Sequence, residues 1–87
     1  MVCIYLIKMR YRIDLHGLSH NEASQKVESE LINISLSGYW EVEIITGNSK
    51  PMQDKIIKEI LDPMDYFYYI PHTNTGVIIV VDDDLLN

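Results

Sequence analysis

Cysteine is all but missing from this 87-residue chain. Cys3 stands alone, so no disulfide can close within it. A single free thiol suits a reducing compartment, and a cytoplasmic protein with Cys3 buried is the expectation. Basic residues are scarce as well: seven Lys and Arg stand against thirteen Asp and Glu, a formal net charge of −6. That balance disfavours broad attachment to a phosphate backbone or an anionic membrane, so any nucleic-acid contact must be local. No long apolar run exists either. Met1 to Ile7 is apolar, but it carries no basic leader and is too short for a signal peptide or a membrane span, so no membrane partner is expected. Internal repeats, linkers, low-complexity tracts, a dinucleotide fingerprint, a phosphate-loop pattern and compact metal-ligand spacing are all missing.

What is present is the balance of a globular protein, 47% hydrophobic with 23% charged residues. The length suits one core, hence one domain over 1–87, with its core at about 12–82, an amino-terminal strand extension over 1–11 and an acidic tail over 83–87. Residues 3–16 read as a first strand, because Met9, Tyr11, Ile13 and Leu15 alternate with Arg10, Arg12, Asp14 and His16. After a turn at Gly17, Ser19 with Glu22 three residues later is a capping-box signature. Ala23, Val27, Leu31 and Ile34 then recur at helical spacing to about residue 35. A second strand spans 41–46. Gly47-Asn48-Ser49 leads into a second helix capped by Ser49, with Pro51 in its first turn and Met52, Ile56 and Ile60 facing inward until Asp62-Pro63 closes it. Residues 66–70 make a short aromatic strand. The continuous apolar run 77–81 predicts a central strand covered on both faces. The order β-α-β-α-β-β predicts an α+β two-layer sandwich, a four-stranded mixed sheet with both helices on one face.

A crossover helix makes its flanking strands parallel, so strands one to three should share a direction and strand four should oppose them. The loops holding Gly17, Gly47 and residues 72–76 then meet at one sheet edge. Both helices begin there, and helix starts and strand carboxyl ends are common ligand sites. The sheet face bearing Arg10, Arg12, Asp14 and His16 stays open to an extended polyanion. Imidazole can move a proton near neutrality in phosphodiester hydrolysis while a carboxylate orients water, the ring or a metal. Equally, Asp14 caps nearby amides and His16 packs at a strand end. Arg10 and Arg12 either bind phosphate or pair with Glu41 and Glu43. Tyr66 and Tyr68 either stack on bases or fill one side of the sheet. Lys50, beside Gly47, reads as a phosphate contact, Lys55 and Lys58 as solvated helix residues, and His20 and His72 as exposed.

Asp14-Leu15-His16-Gly17 before a capped helix, Thr46-Gly47-Asn48-Ser49 opening a second helix, and Gly76 before a final apolar strand together resemble the Smr (small MutS-related) domain, over roughly residues 12–82. The resemblance implies a two-layer fold like the C-terminal domain of bacterial translation initiation factor three, with DNA or RNA binding and, in several members, endonuclease or nicking activity. Carried over by position, it implies catalytic roles for Asp14 and His16 and places Thr46 and Gly47 at the start of the family's second motif. Ser49 replaces that motif's usual second glycine and Asn48 an often basic residue. These departures bear on catalysis more than on binding, since serine is a good helix start.

Combined with the reading of the residues themselves, the nucleic-acid site comprises Arg10, Arg12, Gly17, Thr46, Gly47, Asn48, Ser49, Lys50, Asn74 and Gly76. No metal ligand is assigned, and a divalent metal cofactor stays open. Structured or branched DNA or RNA is the expected partner, because no recognition helix or basic reading element is visible. The alternative is a non-catalytic protein-interaction module that retains the fold, suggested by the acidic surface and by an apolar amino terminus able to add a strand to a partner.

Overall fold

The computed structural model describes residues 9–36 and 40–82. Residues 3–8 of the expected first strand, Cys3 among them, together with Gly38 and the 83–87 tail, lie outside the described residues. Strand β1 is Met9–Asp14, helix α1 His20–Ile34, strand β2 Trp40–Ile45 and helix α2 Lys50–Ile56, which runs into one π-helical turn at Ile57–Leu61. Strands β3, Phe67–Tyr69, and β4, Val77–Val81, complete the expected order.

Helix α1 starts where its sequence says it should. Glu22 N donates to Ser19 Oγ at 3.1 Å and Ser19 N to Glu22 Oε1 at 3.0 Å, so two otherwise orphaned amides are satisfied reciprocally. Ala23, Val27, Leu31 and Ile34 are its buried stripe. Helix α2 opens with Met52 N donating to Ser49 Oγ at 3.3 Å and with Pro51 in the first turn, where a missing amide costs nothing.

A single α-helix to Leu61 was the expectation, and the π turn corrects it. Asp62 N donates to Ile57 O at 2.8 Å, five residues back. The wider turn lets the consecutive residues Ile60 and Leu61 both reach the core with Ile56, at 2%, 0% and 0% exposure.

The sheet runs β1-β2-β4-β3. β1 and β2 are parallel, and β4 is antiparallel to both of its neighbours, so the first three strands share one direction. Ile13, Val42, Ile44, Ile78 and Val80 fall on one face and pack against Ala23, Val27, Leu31 and Ile56 from the helices. Both helices therefore cover the same face, giving the two-layer α+β architecture.

Strand β4 is central, as its apolar run suggests, but among the described residues nothing covers its second face. Ile79 and Val81 alternate onto the open face and are only half-buried. Parity also sorts the aromatics of β3. Tyr68 lies on the core side, and its hydroxyl donates to Asp62 Oδ1 at 3.0 Å. Just before the strand, the Tyr66 ring meets Trp40 edge to face at 6.0 Å. Tyr66 and Tyr68 thus fill one side of the sheet, while Phe67 and Tyr69 stand on the open face, each 52% exposed. Among the described residues no helix is long and apolar enough to cross a membrane.

Candidate nucleic-acid interface

The first wall of the site is the exit from β1. The strand ends at Asp14, two residues short of the expected boundary, because the chain closes a side-chain turn there. Leu15 N still donates to Ile45 O of β2 at 3.1 Å, but His16 N donates to the Asp14 carboxylate at 2.9 Å. Gly17 follows at φ +79°, a left-handed conformation that a residue with Cβ adopts at a cost. Leu15 is buried and anchors the turn, while Asp14 and His16 stay exposed. One carboxylate oxygen of Asp14 is thus spent on fixing where His16 sits. Lys26 of α1 places its Nζ 3.3 Å from the Asp14 carbonyl oxygen and brings a cation to this strand end.

Two loops fused by hydrogen bonds form the second wall. Thr46 N and Gly47 N both donate to Gly76 O at 2.9 Å, and Gly76 N donates to Asn74 Oδ1 at 3.0 Å. Gly76 is required by closeness: a Cβ there would meet Gly47 O at 3.2 Å and Asn74 Oδ1 at 3.3 Å. Gly47 is required by backbone conformation instead, with φ +66° and open space around it. The Thr46 hydroxyl lies 3.1 Å from Gly76 O and 3.2 Å from Gly47 O, donating to one at a time. It accepts from Gln53 Nε2 at 2.9 Å, and the same Nε2 donates to Thr75 O at 2.8 Å. Gln53, 3% exposed, is therefore the pin that holds both loops against α2.

These walls divide the expected residues among three places. Asp14, His16, Thr46 and Gly47, with Ile45, line one pocket of about 230 Å³. Asn48 and Lys50 line a second of about 210 Å³ with Gln53, Ile70 and Thr75, and Gly47 borders both. Arg10 and Arg12 border a separate depression beside Tyr11 and Glu43, so they do not join the Asp14 and His16 pocket. Arg12 Nε is 3.4 Å from Glu43 Oε1, and the ion-pair reading of that arginine is the one realised. Ser49 serves as the α2 cap, and Gly17, Asn74 and Gly76 shape the backbone.

His72 is exposed in its loop, and among the described residues no three His, Cys, Asp or Glu side chains gather as a metal-ligand set. The start of α1 already carries a carboxylate of its own. It belongs to Glu22 and is held below the usual carboxylate range first by the Ser19 backbone amide and then by its hydroxyl. Sequence reasoning missed Lys26, Gln53 and Ile70, and reached Thr75 only as part of the 72–76 loop. Gln53 carried a signal: it sits three residues before Ile56 and seven before Ile60, a polar residue on an apolar helical stripe.

The Smr domain family model matches residues 13–81. The chain belongs to the Smr domain family, whose members are generally nucleic-acid-binding and associated with nicking endonuclease activity. No curated protein and no solved structure matches.

Proposed function

We propose that this Smr-family chain is a cytoplasmic nucleic-acid-binding protein that seats a phosphodiester of DNA or RNA over the Asp14, His16, Thr46 and Gly47 pocket and nicks it there. The observation carrying this reading is that the two motif segments, thirty residues apart, line one solvent-open pocket with an acid and an imidazole side by side. In the reaction, the attacking water loses a proton to the His16 ring as its oxygen bonds to phosphorus. The same ring returns a proton to the leaving oxygen as the old P–O bond breaks. Asp14 aligns His16 through the turn it closes. Lys26 and Lys50 supply local positive charge on a chain whose net charge otherwise repels a polyanion. Retarded migration of single-stranded, duplex and branched probes at several salt concentrations tests binding. No retardation of any probe at low salt would remove the proposal.

A second reading, a protein-interaction module, is favoured by one observation. Phe67, Tyr69, Ile79 and Val81 form an apolar quadrant on the open face. Co-purification of a stable protein partner free of nucleic acid, lost in Phe67→Ser, would favour it.

A further inference from the structure

The pocket beyond Gly47 is built differently from the one holding Asp14 and His16. Its lining includes an apolar residue, Ile70, one cation, Lys50, and a nearly buried amide, Gln53. Both hydrogen bonds of that amide leave from Nε2; no donor among the described residues reaches Oε1. Among the described residues no fully buried side-chain oxygen or nitrogen lacks a partner. The Gln53 oxygen therefore opens on accessible space, and the space that Gln53 borders is this pocket. Its orientation is fixed, since turning the amide over would set Oε1 against the Thr75 carbonyl. An acceptor held in one orientation on a pocket wall, with no donor from the described residues, is matched by a ligand N–H.

We propose that this pocket takes one unpaired nucleobase, whose N–H edge donates to Gln53 Oε1, next to the nucleotide whose phosphate lies over Asp14 and His16. The inference rests on the proposed nucleic-acid reading and adds the substrate class: a single-stranded segment. In a duplex every base has its hydrogen-bonding edge occupied and its faces stacked, so it would have to be extruded to enter. A single strand or a loop presents the edge without that cost. Gly47 lines both pockets, so the base and the phosphate would belong to neighbouring nucleotides, and Lys50 supplies this pocket's cation.

The test uses labelled RNA and DNA oligonucleotides of one sequence, single-stranded or fully paired, and a scan in which each nucleotide in turn is made abasic. Single strands should bind at least about tenfold more tightly than duplex. One abasic position should weaken binding by about tenfold, the worth of one buried hydrogen bond together with base contact. Thr75→Trp, which puts a bulky ring on an exposed residue lining the pocket, should erase that dependence, so that intact and abasic strands bind alike. Equal duplex binding or a flat abasic scan by the wild-type protein would overturn the pocket assignment. If binding were still lost in His16→Ala, the nucleic-acid reading would stand without it, whereas no binding of any probe would overturn both.

Discussion

Gln53→Leu tests whether the interface is preformed by the α2 pin. Leucine nearly preserves the volume, so the change removes hydrogen bonds without opening a cavity. The Nε2 bonds to Thr46 Oγ1 at 2.9 Å and Thr75 O at 2.8 Å both go. Thr75 is exposed and its carbonyl can turn to water, while the buried Thr46 hydroxyl keeps only the Gly76 and Gly47 carbonyls. Two net hydrogen bonds at ~1 kcal/mol each, with a fraction of a desolvation penalty at Thr46, give ~2–3 kcal/mol. For a chain of this size that is a fall in Tm of about 10–20 °C. Urea titration with circular dichroism reads it, and a cycle with Thr46→Val should show coupling of about 1 kcal/mol. A loss below about 0.5 kcal/mol, or strict additivity in the cycle, would refute the idea that this amide holds the two loops.

The two loop glycines should respond differently. Gly47→Ala meets only its positive φ and should cost about 1 kcal/mol, whereas Gly76→Ala meets no such φ and instead brings a Cβ to 3.2 Å from Gly47 O, so it should part the two loops; denaturant titration reads both stabilities and probe retardation the weaker nucleic-acid binding of the second. Ser19→Ala should cost about 1 kcal/mol through the lost cap, measured the same way. The Glu22 carboxyl is depressed below its ordinary 4.5 in the folded state, so its stabilisation is complete above that value and is lost as pH falls through the folded value. Urea midpoints of wild type and Glu22→Gln should accordingly converge on acidification. For catalysis, His16→Ala should lower cleavage of labelled substrate by about 100-fold or more. Asp14→Asn should also lower it while keeping the fold: asparagine Oδ1 can still accept from His16 N, but the carboxylate that orients the attacking water is gone. Unchanged cleavage in both variants, with chelator controls, would assign the activity elsewhere.

The parts of the fold legible in the sequence are those written in local chemistry. The Ser19 and Glu22 capping box, the Ala23 to Ile34 stripe and the Ser49 cap each express a short-range preference that packing left in place. Crossover helices then fixed strand direction and brought the Gly17, Gly47 and Gly76 loops to one edge. What stayed hidden depends on neighbours. The π turn exists because Ile60 and Leu61 both find room in the core, which no periodicity announces. The run Val77 to Val81 reads as doubly covered, yet Ile79 and Val81 belong to an apolar open face shared with Phe67 and Tyr69. Within the site, Asp14, His16, Thr46 and Gly47 followed from motif and topology. Gln53 needed the third dimension, since only the meeting of the 46–47 and 75–76 loops gives its amide partners. Strand parity left Arg10 and Arg12 equally open to phosphate and to Glu41 or Glu43, and the register that sets Glu43 across from Arg12 is what forms their ion pair.

The central claim is that nucleic acid lies on the loop edge and not on the open face of the sheet. Titrating isotope-labelled protein with a short oligonucleotide and following each backbone amide by NMR tests it directly. The predicted result is a set of shifts centred on His16, Gly17, Gly47, Asn48 and Gly76. Shifts centred on Phe67, Tyr69, Ile79 and Val81, with the loop edge unmoved, would contradict it.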